Sequence, residues 1–105
     1  MNNQRRSSIR KCIKILQPLT TREECEDVKS TLEDVLCDED DSRDNIPESL
    51  HDSDRYQISE EASDALEDAI SSLEEAASCF DDDNLSGARE CMNDAIETLK
   101  QIDGI

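Results

Sequence analysis

The stretch DRYQISEEASDALEDAISSLEEAASCF, residues 54–80, decides the fold. Its apolar residues Ile58, Ala62, Leu66, Ala69, Leu73, Ala76 and Phe80 recur in steps of four and three, and Ala65, Ile70 and Ala77 widen the stripe. Such steps return side chains to one face of an α-helix, whereas a strand would need steps of two. Ser53 stands where a hydroxyl can accept from a free backbone N–H at the helix start. The spacing predicts one helix over 54–80, about 40 Å long at 1.5 Å per residue.

Reading toward the C-terminus, Asp81-Asp82-Asp83-Asn84 interrupts the stripe, and Asn84 or Asp83 can cap a new helix. Leu85, Ala88, Met92, Ala95, Leu99 and Ile102 resume the seam with Cys91 and Ile96 beside it, which predicts a helix over 85–102 ending before Gly104. Two helices of matched seam joined by a short linker pack as an antiparallel hairpin.

Reading toward the N-terminus, Ile46-Pro47 marks a turn that continues as a short helical turn to Leu50. Before it, Thr20 with Glu23 and Thr21 with Glu24 form two overlapping capping boxes, and Cys25, Val28, Leu32, Val35 and Leu36 form a seam. A helix is predicted over 21–43. Nothing apolar follows Cys37, so its last turns are expected to project into solvent or fray. Ile9, Cys12, Ile13 and Leu16 predict a first helix over 4–17, ended by Pro18. The nine-residue step from Leu16 to Cys25 turns through about 900°, half a turn out of phase, which favours two helices over one. The expected fold is all-α: a single-domain bundle of about four helices (4–17, 21–43, 54–80, 85–102) built on the hairpin. The 21–43 helix is expected to cover the hairpin's open side, alone or together with the first helix.

Composition narrows the function. Two Gly and two Pro in 105 residues leave too little turn chemistry for a many-stranded sandwich or barrel. Tyr56 and Phe80 are the only aromatics, so the core is aliphatic and thin, with no room for a large enclosed pocket. Five cysteines, Cys12, Cys25, Cys37, Cys79 and Cys91, are odd in number and lack a Cys-x-x-Cys pair, which disfavours both structural zinc and a disulfide framework. His51 is the only histidine, and there is no Gly-rich phosphate loop, so no enzyme activity, cofactor or metal is expected. Asp38, Asp40, Ser42 and Asp44 fall at positions one, three, five and seven of a calcium loop. Arg43 stands where that loop needs glycine and Ser49 where it needs a bidentate glutamate. The basic N-terminus precedes no secretory or membrane-spanning apolar run, so a cytoplasmic protein without membrane contact is expected.

Charge is the most informative feature. The formal charge is −17, divided between +6 over residues 1–22 and −23 over residues 23–105. The chain is a basic N-terminal helical segment, 1–19, on an acidic helical body, 20–105. Residues 23–54 hold 14 acids in 32 positions. In a helix that is one carboxylate per ~3.4 Å, close to the phosphate spacing along one DNA strand. Mixing Lys among the Glu would have avoided the self-repulsion. The expected function is therefore non-enzymatic: an acidic face that binds a basic, nucleic-acid-binding region of another protein by standing in for phosphates. The candidate residues are Glu33, Asp34, Asp38, Glu39, Asp40, Asp41 and Asp44, joined by Glu60, Glu61, Asp64, Glu67 and Asp68. Arg5, Arg6, Arg10, Lys11 and Lys14 are expected to meet the acidic body, within the chain or in a homodimer. The body would repel a nucleic acid, so none is expected to bind directly. The alternative function is structural, with an alanine-rich hairpin that self-assembles to bury an open seam and acids that serve only solubility.

Four segments carry a resemblance. Arg5-Arg6 with Ile9 and Ile13, the corner Asp44-Asn45-Ile46-Pro47-Glu48-Ser49-Leu50, Ser53-Asp54-Arg55, and the run Ala65-Leu66-Glu67-Asp68-Ala69-Ile70-Ser71-Ser72-Leu73-Glu74-Glu75-Ala76 resemble small acidic helical-hairpin proteins encoded by phages and prophages of low-GC Gram-positive bacteria. The resemblance implies a phage setting and a helical-hairpin fold. By analogy with small acidic phage inhibitors, it points to a host defence nuclease, of the restriction or CRISPR kind, as the basic partner.

Overall fold

In a computed structural model, described over residues 2–18 and 21–103, the chain is all-helical. The helices are α1 (Asn3–Leu16), α2 (Arg22–Asp44), α3 (Asp54–Asp81) and α4 (Leu85–Asp103), with a 3-10 turn at Glu48–Leu50. Each start is fixed by a side chain that satisfies an orphan N–H. Asn2 accepts from Arg5 N, Thr21 and Glu24 cap each other reciprocally, Ser53 accepts from Tyr56 N, and Asn84 Oδ1 accepts from Gly87 N at 3.0 Å. Of the two capping boxes read from the sequence, that of Thr21 forms; Thr20 lies outside the described residues, as does Gly104. Asn84 rather than Asp83 caps α4, because Asp83 is spent on the turn itself, in the left-handed region at φ 58°.

The principal packing joins α1 to α2, α2 to α3, α3 to α4 and α4 to α1, so the four helices close into a ring around one core. Contacts fix the directions. Arg5 meets Glu39, Arg43 meets Ser59 and Ser63, Lys29 meets Glu74, Arg22 meets Asp81, and Cys91 meets Glu75. Neighbouring helices along the chain therefore run antiparallel. Ile9, Leu16, Leu32, Leu66, Leu73, Met92, Leu99 and Ile102 fill the centre, all of them at most 1% exposed. Each such side chain contributes about 1.5–3 kcal/mol by leaving water. The molecule is elongated, 50 × 20 × 18 Å.

The helices are staggered. With Cys91 opposite Glu75, equal rise along antiparallel helices puts Ile102 about level with Asp64. The first two turns of α3 thus run beyond α4 and meet mainly α2 and the connecting corner. There the core narrows to Ser59, Ala62 and Ser63, while Ile58, expected in the seam, is 38% exposed. Leu85, expected to open the α4 seam, is also exposed.

One expectation is overturned. The end of α2 neither projects nor frays: it stays helical to Asp44 and packs through polar groups. Glu39 lies seven residues after Leu32 and four after Val35, on the buried stripe, and is sealed in with Arg5. Arg43 reaches across to α3, donating to Ser63 Oγ at 2.7 Å and to the Ser59 carbonyl at 3.1 Å.

Candidate acidic interaction surface

Because α2 and α3 are antiparallel neighbours, the acid-rich end of one lies beside the acid-rich start of the other. Glu60, Asp64, Glu67 and Asp68 are spaced to share one stripe of α3, with Glu61 alongside, and all five are exposed. On α2, Glu33, Asp34, Asp38, Asp41 and Asp44 are exposed. Asp34 and Asp38 turn toward α1, lining a shallow groove of about 200 Å³ with Arg5 and Ser8. The carboxylates therefore form two strips, one on α3 and the adjoining flank of α2, the other between α2 and α1.

Two residues assigned to the acidic face from the sequence belong elsewhere. Glu39 is a core residue, paired with Arg5 inside the bundle; an acid inside a run of acids reads as surface unless its helical phase is followed. Asp40 is half-buried. Its Oδ1 accepts from Arg43 Nη2 and from Ser63 Oγ, both at 2.7 Å, so it is tied into the α2–α3 contact.

The cations of α2 explain why the surface stays acidic. Arg22, Lys29 and Arg43 share the seven-residue step 22–29–36–43 with Leu36, which keeps them on the flank that meets α3. Arg22 binds Asp81 at 2.8 Å and Glu26 at 3.1 Å, and Lys29 binds Glu74 at 3.2 Å and Glu33 at 3.8 Å. Of the twelve acids singled out from the sequence, the ion pairs of the described residues engage Glu33, Glu39 and Asp40. On another side of the bundle, Arg10, Lys14 and Lys100 line an open groove of about 330 Å³ between α1 and α4. These three cations are thus gathered away from the acidic strips.

The stretch Asp38–Asp44 is helix and not loop, and among the described residues no three His, Cys, Asp or Glu side chains are grouped to hold an ion. His51 is exposed at the corner. Its ring stacks on Tyr56 at 4.4 Å, and Nε2 lies 3.2 Å from the Ile46 carbonyl. Sequence reasoning missed the Arg5–Glu39 pair, the Arg43–Ser59–Ser63 cluster and the meeting of Cys79 with Cys91; helical phase was the signal for Glu39, while the others need the register between helices. Among the described residues no helix is long and apolar enough to cross a membrane.

The fold and surface define an all-helical, four-helix bundle with a segregated acidic side. No protein-family model, curated protein or solved structure matches the chain.

Proposed function

We propose that this protein acts without catalysis, by docking the acidic flank of α2 and α3 onto a basic, nucleic-acid-binding region of another protein. In the phage setting that the sequence resemblance implies, it is an inhibitor in the host cytoplasm that blocks a defence nuclease by standing in for its nucleic acid. One observation carries the reading: α2 directs its cations along the α3 contact, while Asp44, Glu60, Asp64, Glu67 and Asp68 remain exposed outside the ion pairs. Carboxylates held on rigid helices bind a cationic channel at little ordering cost, with fast, salt-sensitive association.

The self-assembly alternative rested on an open hairpin seam. Within one chain α1 and α2 already cover that seam, and Leu66 and Leu73 are fully buried. The test is a pull-down from host lysate at low and high salt, using the wild type and a variant carrying Asp44→Lys, Glu60→Lys, Asp64→Lys and Glu67→Lys. A nucleic-acid-binding protein released by salt and lost with the reversal is the expected result. A variant that folds and still retains the partner overturns the reading. Glu39 and Asp40 are left unchanged because the bundle needs them.

A further inference from the structure

Cys79 on α3 and Cys91 on α4 both lie at the contact between the two helices. Cys79 Sγ lies 3.1 Å from the Cβ position of Gly87, one turn before Cys91, so the missing side chain of Gly87 makes room for the thiol against α4. In return Cys91 Sγ donates to Glu75 Oε2 at 3.8 Å, one turn before Cys79. The two thiols are diagonal neighbours in this double contact. Both are half-exposed and open to a reagent, unlike the buried Cys12 and Cys25.

We propose that Cys79 and Cys91 form a reversible disulfide across the α3–α4 hairpin when the chain meets a small disulfide oxidant of the oxidised-glutathione type. Burial, followed by the neighbouring Cys79 and the Glu75 carboxylate, pushes the Cys91 thiol up, which disfavours Cys91 as the first attacking thiolate. The Cys79 thiolate attacks one sulfur of the oxidant, forming a mixed disulfide and expelling one glutathione thiolate. The Cys91 thiolate then attacks the Cys79 sulfur and expels the second. The cysteine pair loses two electrons and two protons; the oxidant gains them and leaves as two glutathione thiols. The bond closes a short loop that contains the whole α3–α4 turn, and it tightens the hairpin without opening the core.

The test is to incubate the folded protein with graded oxidised glutathione, block remaining thiols after denaturation, and digest with trypsin without reduction. Arg89 lies between the two cysteines, so the link appears as two peptides held by one disulfide. The expected result is loss of two of the five thiols, the Cys79–Cys91 linked species, and a Tm raised by roughly 10 °C and restored by dithiothreitol. Cys79→Ser and Cys91→Ser should each abolish the link and leave a glutathione adduct on the remaining cysteine. Adducts that persist on wild-type Cys79 or Cys91 without linkage overturn the proposal, as does a Cys37-bridged dimer as the sole disulfide.

Discussion

Arg5 Nε of α1 stands 2.8 Å from Glu39 Oε2 of α2, with the two side chains 14% and 1% exposed. Their alignment falls short of a linear hydrogen bond, so the contact is a close charge pair. The pair binds the basic N-terminal helix to the acidic body. A buried carboxylate is tolerated when a cation stands against it, and removing one partner strands the other in a low-dielectric site. Glu39→Gln should therefore lower stability by about 3 kcal/mol in urea unfolding, whereas Glu39→Leu combined with Arg5→Met should recover most of the loss. A single substitution without effect would show that α1 is held by its apolar stripe alone.

That pair also marks what the sequence disclosed. Helix phase is local information, and the seams of all four helices, the Pro18 break and the Ser53 and Thr21 caps were readable because each depends on neighbours a few residues away. Ile58 and Leu85 were misplaced for a different reason: whether a seam residue is covered depends on where the facing helix ends, which is set by stagger. Glu39 was hidden by composition, since its phase matched Leu32 and Val35 while its chemistry matched the acids around it. The acidic side was legible as a charge density. The division of its carboxylates between outward strips and inward pairs was not, because that depends on which flank of α2 meets α3.

The buried thiols make stability fall at alkaline pH. Burial pushes Cys12 up from 9.0 to about 11, and burial with Glu24 and Glu26 nearby does the same for Cys25. A thiol whose proton is held more tightly in the folded state contributes stability that is complete below the unfolded pKa and is lost as pH rises through the folded one. The window is pH 9 to about 11. Two units correspond to roughly 2–3 kcal/mol for each thiol. Urea midpoints across this window should fall for the wild type and fall less steeply for Cys12→Ala, whose separate cavity cost is independent of pH. Equal slopes would contradict the assignment.

Asp83 pays for the α3–α4 turn with a left-handed backbone, φ 58°. A glycine adopts that conformation without steric cost and an asparagine with little, whereas a β-branched residue is strained. Asp83→Gly should raise stability by up to about 1 kcal/mol and Asp83→Val should lower it by about 1–2 kcal/mol. The cap on the far side of the turn gives a second check: Asn84→Ala removes the acceptor for Gly87 N and should cost about 1 kcal/mol. Thermal unfolding of the three variants tests both.

The outward carboxylates should weaken the fold they decorate. At low salt, Glu60, Asp64, Glu67 and Asp68 along α3 and Asp41 and Asp44 on α2 repel one another, in a chain whose formal charge is −17. Salt at about 0.1 M screens exposed charges beyond roughly 10 Å, but it acts weakly on buried pairs such as Arg5 with Glu39. Tm should therefore rise by several degrees between very low salt and 0.15 M sodium chloride. Asp64→Asn with Glu67→Gln should raise the low-salt Tm and flatten that dependence. A surface kept acidic for a basic partner should show the opposite effect on binding, with the same double variant gaining stability and losing affinity. Acids present only for solubility would leave partner capture unchanged when neutralised. Measuring unfolding and capture on one preparation separates the two, because the sign of the trade-off and not its size distinguishes them.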